Sequence, residues 1–174
     1  MAESDRRCGR PVEAGDVITA HIPSGYVLAR TAGWRRSVMA VAVFGATFPD
    51  LDLIWFYLID DRAIHHHMYW VHAPAFALTM SLLLVAAVGR VAPRFARHAV
   101  AFGFGWGLHI LLDAPMGQIM WLWPISDVLY SPITVPARHD FWVWNFLLHW
   151  SFALELAVWL TAAVLMLRRP RHAR

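Results

Sequence analysis

The chain has 174 residues, of which 59% are hydrophobic and 16% charged. Soluble domains run at about 45–50% apolar and about 25% charged, so this chain lacks the polar surface that a water-exposed domain of its size needs. The formal charge of +3 does not imply nucleic acid, because all 15 basic residues are Arg and they fall in short clusters between apolar runs, not in a continuous stripe along one face.

Residues 1–16 carry Glu3, Asp5, Arg6, Arg7, Cys8, Arg10, Glu13 and Asp16 and contain no long apolar core. They read as a polar tail and not as a cleavable signal peptide. Cys8 is the single cysteine, which rules out a disulfide within the chain and a thiolate knuckle; any metal is left to nitrogen and oxygen ligands. A first short apolar segment, 17–32, has His21, Pro23 and Gly25 near its start. After the Gly33–Arg36 joint, 38–48 is apolar up to Pro49, which should end or kink a helix. A further apolar stretch, 51–59, is bounded by Asp60 and Asp61. The cleanest span is 73–88. The run 99–112 is rich in glycine (Gly103, Gly105, Gly107), which lets membrane helices approach closely. The stretch 141–167 reads as one long final helix, enough to cross a ~30 Å hydrocarbon core. The expected fold is all-α: a polytopic helical membrane bundle of about four to five embedded segments. It forms a single domain over 17–167, followed by a basic tail, 168–174.

Orientation follows from the arginines. Arg30, Arg35 and Arg36; Arg90, Arg94 and Arg97; and Arg168, Arg169, Arg171 and Arg174 can share one side, with no acidic residue in those joints. The opposite side then holds Asp60, Asp61, Asp127 and Asp140 against Arg62 and Arg138. The positive-inside rule makes the arginine side cytoplasmic, in an inner (plasma) membrane, and the acidic side outer. Trp121, Trp123, Trp142 and Trp144 fall near the outer level and read as an interfacial belt.

On that topology, separate stretches deliver His or Asp to one outer layer: His21; Asp50 and Asp52; His65, His66, His67 and His72; His109 and Asp113. Carboxylates and imidazoles in apolar runs are expensive and mark function by default. His109 and Asp113 are i and i+4 and project from one helical face. Asp50 and Asp52 flank a proline-initiated turn, and would otherwise serve only as helix caps. His67 and His72, five apart, converge only if the chain is irregular between them or if they serve different metals. The ligand set expected is His21, Asp50, Asp52, His67, His72, His109 and Asp113. His and Asp together suit Zn foremost, or Mn or Fe, as one or two divalent ions. His65, His139 and Asp140 read as solvated, and Asp60 and Asp61 as loop charges. Glu155, six residues from His149 on the last helix, faces the bundle or tunes the site and stays outside the ligand set.

The strings Phe48-Pro-Asp-Leu-Asp52, His67-x4-His72 and His109-Ile-Leu-Leu-Asp113, followed by Gly117 and Trp123-Pro124, resemble the YdjM-like family of bacterial inner-membrane metal-dependent hydrolases. That family has an early histidine, matched here by His21, and then a Pro-Asp-x-Asp turn. A His-Arg-Gly-x-Thr-His-Ser stretch and a His-x3-Asp helix follow. Met68, Val71 and Ala73 depart from the middle motif, and Leu53 replaces a frequent histidine. The metal-type residues survive, while residues that would contact substrate or support the ligands from behind do not. The His-x3-Asp pair is also similar to the zinc-dependent phospholipase C and nuclease group. The resemblance implies a membrane-bound metal-dependent hydrolase acting on a phosphoester or lipid-linked substrate at the outer interface. Asp52 would be general base and Asp113 catalytic, with membrane lipids and a small-molecule or lipid substrate as partners and no nucleic acid. Two alternatives use the same residues: a metal-handling or transport protein, and a non-catalytic adaptor with a structural metal site.

Overall fold

The computed structural model describes residues 19–61, 63–133, 135–136, 138–139 and 141–168. The tail 1–16, most of the tail 168–174, Arg62 and Asp140 lie outside the described residues, as does the side chain of Trp142. The described residues form seven α-helices joined by 3₁₀ turns: α1 (His21–Thr31), α2 (Arg36–Thr47), α3 (Asp52–Leu58), α4 (Pro74–Val91), α5 (Ala96–Asp113), α6 (Trp142–Leu147) and α7 (Phe152–Leu167). The pairing of Ile119 with Tyr130 is an isolated antiparallel bridge in the long α5–α6 loop. The all-helical expectation holds.

Small residues set the packing. Ala42, Gly45 and Ala46 of α2 face Ala101 and Gly105 of α5, while Gly25 and Ala29 of α1 lie against the same α2 face. A Cβ on Gly45 would stand 2.3 Å from the Phe102 carbonyl oxygen, and one on Gly105 would stand 2.2 Å from that of Ala42. Backbones this close gain dense van der Waals contact, the attraction left to helices in lipid once apolar burial no longer discriminates. Pro49 turns the chain out of α2 into the 3₁₀ turn Pro49–Leu51, and the axis bends by 56° between α2 and the 49–58 segment.

Among the described residues, α4 alone is long and apolar enough to cross a bilayer by itself, and the bent pair Arg36–Thr47 with Pro49–Leu58 is a second candidate if taken as one span. The outer surfaces of α4 and α7 are apolar and exposed: Leu82 is 61% accessible and Leu160 68%. Contiguous apolar surface of this kind is rare on monomeric soluble proteins and marks a membrane or protein interaction face.

The last segment differs from its sequence reading. The stretch 141–167 is not one helix: α6 ends at Leu147 and α7 begins at Phe152. In the break, His149 Nδ1 lies 2.7 Å from Ser151 Oγ and accepts from the Ser151 N–H. Such local side-chain bonds compete with the helical ladder. His149 and Glu155 therefore do not share a helix.

The first two arginine joints and Arg168, the described residue of the third, lie at one end. Arg30 Nη2 donates to the Leu165 carbonyl near the end of α7. His98 Nε2 stands 3.2 Å from Ser37 Oγ, which joins the start of α5 to the start of α2. The opposite end carries the start of α1, the Pro49 turn, the 66–72 turns, the end of α5 and the start of α7.

A candidate metal centre

Five pieces of chain meet at that opposite end. His21 opens α1, Asp50 sits in the turn after α2, and Asp52 opens α3. Neither aspartate caps a helix with its side chain, which removes the bland explanation of the pair. His66–Met68 and Trp70–His72 are two consecutive 3₁₀ turns. They solve the five-residue spacing of His67 and His72, whose ring centroids are 4.6 Å apart. Trp106 of α5 donates its indole N–H to the Val71 carbonyl at 2.8 Å and so pins the second turn beside His72. His109 and Asp113 end α5 on one face, 3.0 Å apart.

The contacts converge on few atoms. His109 Nε2 lies 3.2 Å from His72 Nε2, 3.0 Å from Asp113 Oδ2 and 3.7 Å from Asp50 Oδ1. His21 Nε2 lies 3.2 Å from Asp113 Oδ1 and 3.9 Å from Asp50 Oδ2, with its ring stacked on that of His109 at 3.9 Å. His67 Nε2 is 3.7 Å from Asp113 Oδ2. Asp52 Oδ2 stands behind His72, 3.1 Å from Nδ1. His21, His67, His72, His109 and Asp113 are all 1% exposed or less.

Tautomers sharpen this picture. His109 Nδ1 faces the Ala46 carbonyl at 2.9 Å, a contact that requires an N–H there. Neutral His109 then presents a lone pair at Nε2, aimed at the His72 nitrogen and two carboxylate oxygens. Asp52 likewise favours the proton of His72 on Nδ1, which leaves a lone pair on its Nε2. Two lone pairs facing at 3.2 Å among buried carboxylates repel one another unless a cation or a proton lies among them. The buried oxygens of Asp52 and Asp113 lie close to four imidazole nitrogens, those of His72, His21, His67 and His109, with none of these contacts in the alignment of a good hydrogen bond. Ligand atoms around a tetrahedral zinc at ~2.1 Å are ~3.4 Å apart, close to the separations seen here. The donor set fits a divalent ion with nitrogen and oxygen ligands.

Three overlapping groups of donor atoms lie within 4.8 Å of one another: His21, His109 and Asp113; Asp50, His72 and His109; and His66, His67 and His72. Six of the seven expected ligands fall in these groups. Asp52 is placed instead against His72, the position of a carboxylate that orients a metal-binding imidazole. His66, outside the expected set, is 6% exposed and joins the third group. The run His65–His67 announced imidazoles but not their directions; burial separates His66 from His65, whose Nδ1 accepts the His67 N–H.

Burial pushes His66 down to about 4 and holds His67 and His72 well below the usual imidazole range. All three stay neutral at pH 7, the ligand form of the ring. In metal-free protein the unfolded imidazoles, near 6.5, take up protons that the folded ones refuse, so stability is full above about pH 6.5 and falls as pH drops below it. Chelator-treated protein melted at pH 7.5, 6 and 5 should show a steeper loss on acidification than its His66→Gln variant.

Glu155, 2% exposed, accepts a hydrogen bond from Thr19 Oγ1, so α7 is tied to the residues just before His21. His139 is exposed as expected, and Asp60 accepts a hydrogen bond from Tyr69 and is not simply a loop charge. Trp121 and Trp144 are exposed at this end of the bundle, at 40% and 52%.

The model of the YdjM inner membrane protein family matches residues 16–171. The chain belongs to this family. No curated protein and no solved structure matches it. The match runs from just before α1 to beyond α7, so every residue of the YdjM-family cluster lies within it. Membership makes the chain an inner membrane protein.

Proposed function

We propose that this YdjM-family chain is a multi-pass, membrane-bound metal-dependent hydrolase of phosphoesters. The observation that carries this reading is the pair of imidazole nitrogens, His72 Nε2 and His109 Nε2, facing each other at 3.2 Å beside Asp113 and Asp50. His21, Asp50, His72, His109 and Asp113 would hold a divalent ion, Zn foremost, and His66 and His67 have the donors to hold a second. When bound, such an ion supplies Lewis-acid chemistry, acidifying water and polarising a phosphoryl oxygen. The residues do the rest. Asp52, 3.1 Å from His72 Nδ1, favours the His72 proton on that nitrogen by charge and so leaves the Nε2 lone pair directed inward. Asp50, whose side chain at 19% is the most accessible of the three carboxylates, is the acceptor for a proton leaving attacking water.

The membrane placement is part of the proposal. The arginine joints lie on the cytoplasmic side and the metal centre on the outer side. α1, α2, α4, α5 and α7 are embedded, the shorter ones supported by the close α1–α2–α5 packing. In a Cys8→Ser background, Asp61→Cys should react with an impermeant maleimide in intact cells with a permeabilised outer membrane, and Arg94→Cys only after lysis. The reverse pattern would sink this orientation.

Untagged protein purified in mild detergent should contain about one or two equivalents of metal by mass spectrometry. It should hydrolyse at least one member of a phosphomonoester and phosphodiester panel, and His109→Ala should lose both properties. Wild type free of metal, and unable to bind added Zn, would end the proposal. Asp52→Asn should keep the metal but bind it about 10–100-fold more weakly in chelator competition, as expected of an orienting carboxylate.

A further inference from the structure

Beside the metal centre, α4 and α5 leave an apolar groove of about 650 Å³ open on the outer surface of the bundle. Apart from the Ser81 hydroxyl and the Trp121 indole, its lining side chains are hydrocarbon or glycine. One end is formed by Pro74, Ile110 and Trp121 and the other by Val85 and Val100. Pro74 follows His72 by two residues and Ile110 follows His109, so the first end adjoins the metal centre. Gly107 lines the groove at an open point, where a Cβ would meet nothing within 4 Å.

We infer that this groove holds one hydrocarbon chain of a lipid whose phosphoester headgroup reaches the metal centre. Length chooses the occupant. From Pro74 to Val85 is 11 helical steps, or ~16 Å of rise, and one leaflet of a ~30 Å core is ~15 Å deep. The groove therefore begins at the ligand layer and ends near the bilayer midplane, the path of a single chain hanging from a headgroup at the interface. Its volume lies within the range of pockets that bind small molecules, about 300–1,000 Å³. The apolar lining offers a water-soluble phosphoester nothing beyond its headgroup contacts. The substrate class is thus a membrane phospholipid or another chain-bearing phosphoester. That assignment rests on the hydrolase reading, while occupancy of the groove by a chain does not.

The test uses full-length protein in nanodiscs containing a phosphatidylglycerol with a diazirine along one acyl chain. After irradiation, adducts are mapped by mass spectrometry in wild type, Gly107→Leu and Leu82→Trp, which fill the groove from opposite walls. Metal content is measured on the same samples. The expected result is adducts concentrated on Leu78, Leu82, Leu108 and Leu111 in wild type. They should fall about tenfold in both filled variants, with metal content unchanged. Adducts as dense on Leu156 and Leu160 of α7, or unaffected by filling, would mean ordinary surrounding lipid and overturn the inference. Cross-links between two copies through α4 would mean that a second copy covers the groove, and would overturn it too. Absence of metal from wild type would end the hydrolase reading while leaving the chain-binding result to stand or fall on the adducts.

Discussion

Asp113→Ala is expected to weaken metal binding by about 10²–10⁴-fold, the equivalent of ~3–5 kcal/mol for removing one partner from a buried charged cluster. No other single carboxylate here serves as many partners. His21 Nε2 at 3.2 Å, His109 Nε2 at 3.0 Å and His67 Nε2 at 3.7 Å all converge on its two oxygens. In the proposed site it would supply negative charge to the ion while fixing the spacing of three rings, and at 1% exposure water cannot replace it. Asp113→Asn separates charge from shape: the amide keeps the volume but offers one neutral oxygen, and should also lose most of the affinity. Asp127→Asn removes the same charge from an exposed position in the α5–α6 loop and should bind as wild type does. The measurement is chelator competition on untagged protein, read with metal content. If Asp113→Asn bound metal as tightly as wild type, the cluster would be a hydrogen-bonded structural core and the proposed ion site would be lost.

The parts of this site legible in the sequence are those whose geometry is local. His109 and Asp113 follow from helical periodicity alone. The proline turn brought Asp50 and Asp52 to one place, although only the packing of His72 showed that Asp52 stands behind an imidazole. α4 was legible because an apolar run without internal proline follows Pro74, a residue that suits the first turn of a helix. The rest depends on contacts distant in sequence. His67 and His72 meet through two 3₁₀ turns that no 3.6-residue period describes, and Trp106, reaching Val71 across 35 positions, holds the second turn. Glu155 and Thr19 are 136 positions apart, so an acid inside an apolar run gave no hint of its partner. The break between α6 and α7 was hidden for a different reason. Leu148 to Ser151 contain neither proline nor glycine, and the His149–Ser151 bonds that interrupt the α-helical pattern, beside i→i−3 backbone bonds, leave no mark on hydropathy.

Gly105→Ala should weaken the metal centre although residue 105 supplies no ligand to it. The added Cβ would lie 2.2 Å from the Ala42 carbonyl oxygen and 2.8 Å from the Ala46 nitrogen, both backbone atoms of α2 that cannot rotate away. Relief requires α5 to move off α2. That motion carries His109, one turn further along α5, away from the Ala46 carbonyl that holds its Nδ1 proton at 2.9 Å. Once that bond lengthens, the ring can turn, and Nε2 is no longer fixed toward His72 and Asp113. Overpacking of this kind costs about 1–3 kcal/mol, and part of it should appear as about a tenfold loss of metal affinity. Gly107→Ala, two residues along the same helix, provides the contrast. Its Cβ meets nothing within 4 Å, and alanine is the better helix former by about 1 kcal/mol, so stability should hold or rise and metal affinity should not change. Melting curves in detergent with and without added Zn, run beside chelator competition, distinguish the two. Equal affinities for the two variants would mean that the α2–α5 contact does not set the geometry of His109.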